Sequence, residues 1–180
     1  MNHLREEFGN IDIYLFDQIL KGHYKNCKKI LDLGSGSGRN LLWFLKNGYQ
    51  VYAVDKDPEA IAAVRELAAQ LAPELAVDNF RVATIDEQVP FDFGSFDLVI
   101  CNAVLHFAEN KEHFELMLHT AWELLQPNGL LFVRTASSIG IEQLIQPLEN
   151  GKYLLPDNSE RYLVDMEMLL DYEQKLNAIH

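Results

Sequence analysis

The sequence predicts an α/β fold, a parallel sheet sandwiched between helix layers, and three observations carry that prediction. Short apolar runs alternate with helical periodicities from about residue 28 to residue 136. The run Phe96 to Cys101 is apolar nearly throughout, as a strand covered on both faces must be. Finally, the run Ile30 to Leu33 passes through Gly34, Gly36 and Gly38 into Leu41, Leu42, Phe44 and Leu45 at helical spacing, a strand, a tight turn and a helix. Such a turn is either an ordinary βα connection that needs glycine for its dihedrals or a place where backbone meets a ligand closely.

The elements follow in order. Ile11, Leu15, Phe16, Ile19 and Leu20 share one face of a helix over residues 11 to 20, stopped by Gly22; it reads as a packing helix or as a flap over a ligand. Tyr49 to Val54 forms the second strand and ends in Asp55. Asp57 and Pro58 then cap an Ala-rich helix reaching about Leu71. Asp55, about 20 residues beyond the glycines, is placed to accept hydrogen bonds from ribose hydroxyls. Phe80 to Ile85 reads as a third strand and Phe96 to Cys101 as a fourth. A helix from about Lys111 to Leu125 and a turn at Gln126 to Gly129 precede a fifth strand, Leu130 to Thr135. Beyond it come a short helix over Ile139 to Leu148, a turn at Pro156 to Ser159 and a last amphipathic helix, Asp165 to Asn177.

Composition narrows the partners. The 180 residues are 48% hydrophobic, enough for one domain with a full core. Fifteen basic against 27 acidic residues give a formal charge of −12, which argues against nucleic acid or an anionic membrane and for a small-molecule or protein partner, of which a small-molecule substrate is the expectation. Cys27 and Cys101 have neither metal-ligand nor disulfide-framework spacing, so no metal is expected and both read as reduced thiols of a cytoplasmic protein. No stretch reaches the roughly 20 apolar residues of a membrane helix.

Four blocks, Ile30 to Gly38, Val51 to Pro58, Val89 to Phe107 and Leu124 to Val133, resemble the class I S-adenosylmethionine-dependent methyltransferases in order and spacing, with a looser likeness to the small-molecule, tellurite-resistance branch. The resemblance implies a Rossmann-like sheet of order 3-2-1-4-5 in a single domain: a helical flap (1–27), a cofactor-binding core (28–136) and a substrate-lid and C-terminal segment (137–180). It implies S-adenosylmethionine as cofactor and S-adenosylhomocysteine as product. Gly34 and Gly36 would let the methionine portion approach the backbone, Asp32 would orient its amino group, and Asp55, with Lys56 beside it, would hold the ribose. Ile85 and Asp86 would border the adenine, and Asn102 with Ala103 would meet the ammonium. Relatives end in an antiparallel pair, strands six and seven, which this chain lacks or has truncated. The edge at strand five is therefore exposed unless residues 150 to 165 fold over it.

Methyl transfer from a sulfonium needs positioning and at most a base. His106 is the nearest titratable group to the expected methyl and reads as that base or as a hydrogen-bonded histidine at a helix start. Tyr14, Arg134, Tyr153 and Arg161 are candidate substrate contacts, and Arg39 a candidate for the cofactor carboxylate. Two competing readings are a methyltransferase-like binding or regulatory domain without catalysis and a nicotinamide-dependent oxidoreductase. Against the latter, glycines at 34, 36 and 38 give G-x-G-x-G, whereas the dinucleotide fingerprint has its third glycine one residue later.

Overall fold

A computed structural model describes residues 2–87 and 89–179. The main sheet has five parallel strands in the order β3-β2-β1-β4-β5: β1 (Lys29–Leu33), β2 (Gln50–Asp55), β3 (Phe80–Val82), β4 (Phe96–Asn102) and β5 (Leu125–Arg134). Helices α3 (Leu42–Lys46), α4 (Pro58–Leu71) and α5 (Lys111–Glu123) connect them. The expected order and layers are those observed. One apolar cluster, with Leu15, Leu41, Phe44, Ile61, Val64 and Phe80, covers one face of the sheet. A second, with Leu33, Val99, Phe114, Met117 and Tyr162, covers the other. Strand β4 is buried along almost its whole length, which explains its uninterrupted apolar sequence.

Several boundaries differ from the sequence reading. Strand β3 stops at Val82 because its partner β2 ends at Asp55, opposite Val82; residues 83 to 85 have no strand to pair with. Strand β5 begins at Leu125, since Leu125 already faces Phe96 and the expected Gln126 to Gly129 turn is an irregularity within the strand. The expected helix over 139 to 148 is a series of turns. Gly140 (φ 81°) and Pro147 leave too few residues between them for a stable helix, and Leu144 is 63% exposed. An N-terminal helix, α1 (Asn2–Phe8), precedes α2 (Ile13–Leu20).

In place of strands six and seven, the chain folds a separate antiparallel sheet of β6 (Gln146–Pro147), β7 (Lys152–Leu154) and β8 (Glu160–Tyr162), followed by α6 (Met166–Leu176). It reaches the main body through Val164, which bridges Ser137: the Ser138 N–H donates to Val164 at 2.9 Å and the Val164 N–H to Ala136 at 3.2 Å. Tyr162 stacks on Phe114 of α5. Segment 150–165 thus covers the end of β5, while the outer side of β5 has no strand partner among the described residues. No described helix is long and apolar enough to cross a membrane, and no described group of three or more His, Cys, Asp or Glu is placed to hold a metal.

Candidate active site

The carboxyl ends of β1, β2 and β4 meet where the strand order reverses, the position at which open α/β sheets bind ligands. Asp32 lies there, fully buried, and neither carboxylate oxygen has a hydrogen-bond partner. Burial, then the charge of Asp55, push its carboxyl up to about 7, against a smaller opposing effect of Arg39. Asn102, buried at the end of β4, likewise has an unpartnered Oδ1. Three buried acceptors at one end of the sheet have no donor among the described residues and are open to donors from outside the chain. A ligand ammonium supplies one.

The glycine loop satisfies itself. Gly34 and Ser35 donate to the Val54 carbonyl at 2.8 and 3.1 Å, Gly38 donates to Ser35 at 3.1 Å, and Gly36 donates to Asp55 Oδ2 at 2.7 Å. With those amides engaged, the loop is a poor phosphate cradle. The two leading glycines differ. At Gly34 (φ +73°) an added Cβ would stand 2.4 Å from a methyl of Val104, so the space that glycine leaves is filled by the loop after β4. Next to Gly36 (φ +52°) lies open space, free for close approach of a ligand.

Asp55 accepts from Gly36 at one oxygen and from Asp57 N–H at 2.9 Å at the other. It ties the glycine loop to the start of α4 while each oxygen keeps a lone pair for ribose hydroxyls. Lys56 is exposed beside it. Ile85 is buried and Asp86 lies in the turn after it, its Oδ2 3.3 Å from His113 Nε2 of α5; the two residues are thus at the place the sequence indicates, though not on a strand. Ala103 holds a left-handed φ of 61° and donates to the Arg134 carbonyl at 2.8 Å, a strained backbone of the kind found at ligand sites.

His106 follows, in a single 3-10 turn (Leu105–Phe107). Its Nδ1 is buried without a partner, and burial, Arg161 and Arg134, in that order, push the imidazole down to about 4. It is therefore neutral at physiological pH. Arg161, on β8 opposite Tyr153, stacks over Phe107 at 4.7 Å. Arg134, opposite Asn102 in the sheet, lies 5.8 Å from the Tyr14 ring. The charges of Arg134 and Arg161 both reach His106, while Tyr14 lies beside Arg134 and Tyr153 is paired with Arg161.

Sequence reasoning missed Asp12. It caps α2 through its carboxylate, its own N–H donates to Asn40 Oδ1 at 3.1 Å, and its buried Oδ2 lies 3.4 Å from Arg134 and 3.9 Å from Arg39. Arg39 thus pairs at long range with Asp12 while its side chain stays partly exposed. Only the N-cap pattern, an Asp just before an apolar-periodic run, was available as a signal. A cleft of about 440 Å³ lined by Glu112, Leu116, Tyr172 and Leu176 lies between α5 and α6 and shares no residue with this site.

Comparison with known proteins agrees with the geometry. The chain is 28% identical over 156 residues to a ubiquinone biosynthesis O-methyltransferase of Bradyrhizobium diazoefficiens, covering 79% of this chain and 58% of that protein. It is 36% identical over 155 residues to hemagglutinin 1 of Eikenella corrodens, covering 84% of this chain and 48% of that one. The chain thus spans about half to two thirds of the length of these relatives. Among solved structures, Burkholderia thailandensis 1,6-didemethyltoxoflavin-N1-methyltransferase, with 1,6-didemethyltoxoflavin and S-adenosylhomocysteine bound, superposes with a TM-score of 0.64 at 22% identity, over 88% of this chain and 63% of that one. Residues 31–133, more than half of the chain, match the methyltransferase-domain family, and the chain belongs to the class I S-adenosylmethionine-dependent methyltransferases.

Proposed function

We propose that the protein transfers the methyl group of S-adenosylmethionine to a small-molecule acceptor, with His106 taking the acceptor's proton. The observation that carries this is the set of three unpartnered buried acceptors, Asp32 Oδ1 and Oδ2 and Asn102 Oδ1, beside a glycine loop whose own amides are spent. That donor-hungry pocket fits an ammonium and suits a pyrophosphate badly. Asp55 offers its free lone pairs to ribose hydroxyls, Gly36 gives close approach, and Ile85 and Asp86, with Lys56 nearby, border the nucleoside. S-adenosylmethionine brings a methyl already activated on a sulfonium, so the reaction is an in-line displacement in which the C–S bond breaks as the bond to the acceptor forms. The chain positions the acceptor, excludes water and accepts one proton at His106. A small acceptor is supported by the relatives, named for O-methylation in ubiquinone biosynthesis and for N1-methylation of 1,6-didemethyltoxoflavin, and by the chain's formal charge of −12.

Calorimetric titration tests the reading. Saturable binding of S-adenosylmethionine and S-adenosylhomocysteine, without binding of NAD, is expected, and Asp32→Ala should abolish it. Absence of binding of both adenosyl compounds would overturn the assignment. Release of S-adenosylhomocysteine in the presence of a hydroxylated or amino acceptor panel then separates an active enzyme from a binding domain.

A further inference from the structure

Arginines gather on the acceptor side of this acidic chain. Arg161 has no carboxylate within ion-pair reach among the described residues. Its guanidinium donates to its neighbour's carbonyl, Glu160 O, at 2.7 Å and otherwise rests on the half-exposed ring of Phe107. Asp157, in the turn between β7 and β8, feels its charge only from a fully exposed position. Arg134 shares the single carboxylate of Asp12 with Arg39, at 3.4 and 3.9 Å, and makes no side-chain hydrogen bond among the described residues. Two acceptor-side guanidiniums and one buried carboxylate, itself shared with Arg39 beside the glycine loop, leave a positive surplus, while Asp32 and Asp55 sit on the cofactor side.

We propose that the methyl acceptor carries a carboxylate and that Arg134 and Arg161 bind it beside His106. This rests on the methyltransferase reading above and narrows it to one substrate class. The planar fork of arginine matches a carboxylate in paired hydrogen bonds. A bound anion also offsets part of what weakens the base: burial is the largest cause, but the two guanidiniums that add to it are neutralised when the acceptor arrives, which raises the proton affinity of His106. Tyr14 and Phe107, each in contact with one of the two arginines, offer apolar surface to the rest of the acceptor.

The test uses benzoate and benzamide, alike in shape and different in charge, titrated into protein saturated with S-adenosylhomocysteine and followed by the amide resonances of Phe107, Arg134 and Arg161. Benzoate should give saturable shifts at these positions with a dissociation constant at least about tenfold below that of benzamide. The difference should collapse to about twofold or less in Arg161→Met, with Arg134→Met, made separately, as a second case; both variants should still bind S-adenosylhomocysteine. Equal responses to benzoate and benzamide, or no response to either, in cofactor-saturated protein would overturn the carboxylate assignment alone. Failure of the unmodified protein to bind S-adenosylhomocysteine, read at the Gly34 and Gly36 amides, would overturn the methyltransferase reading and this proposal with it.

Discussion

Burial of Asp32 makes the ligand-free protein sensitive to pH in a definite direction. Its carboxyl is raised from the ordinary 3.8 to about 7, so between those values the folded chain holds a proton that the unfolded chain has released. The contribution of this group is therefore most favourable below about pH 4 and declines as pH rises toward 7. Asp32→Asn removes the buried charge. It should stabilise the ligand-free protein above pH 7 by about 1–2 kcal/mol, roughly 2–8 °C in Tm for a chain of this size, while cofactor binding measured by calorimetry is lost. Wild-type binding of S-adenosylhomocysteine should weaken as pH falls below about 7, when Asp32 is protonated and no longer pairs with an ammonium. His106 gives the opposite signature. Held down to about 4 by burial and by Arg161 and Arg134, it stays neutral at pH 5, so at saturating cofactor the acid limb of kcat/KM for the acceptor should lie below pH 5 rather than near the usual 6.5. Arg161→Met should move that limb upward. His106→Ala should cut kcat by about 10²–10⁴ with cofactor affinity unchanged.

At the level of elements, the glycine loop and the loop after β4 are built against each other. Gly34→Ala places a methyl 2.4 Å from Val104 on a backbone with φ +73°, and should destabilise the fold by about 1–3 kcal/mol. Val104→Ala relieves only the steric part, so thermal melts of the double-mutant cycle should show a favourable coupling. The strand-turn-helix unit, the cap at Asp57, the last helix and the apolar β4 were legible in the sequence because each depends on residues close together in the chain. What was not legible depends on partners far away. The end of β3 is set by the length of β2. Ile141, Leu144 and Ile145 have helical spacing, yet Leu144 stays 63% exposed, so the three do not form one buried helical face. In the site, Asp32, Asp55 and Asn102 could be found from strand ends; Asp12, 28 residues from Asn40, and the use of Gly34 by Val104 could not.

For the molecule as a whole, the outer strand decides behaviour at high concentration. Strand β5 lacks a partner on its outer side among the described residues, and Leu130 on it is 40% exposed, a combination that invites edge-to-edge pairing. Leu130→Lys should lower concentration-dependent association in light scattering with little change in Tm. Asp12 has a consequence on the same scale. One carboxylate touches Arg39, beside the glycine loop, and Arg134, on the acceptor side, and it also starts α2. A ligand on either half that draws one of these arginines away from Asp12 is felt by the other. Thermodynamic linkage requires that coupling to be equal in both directions: if the cofactor product tightens acceptor binding by some factor, the acceptor tightens the product's retention by the same factor. Asp12→Asn should shrink both together, as calorimetric titration of each ligand with and without the other would show.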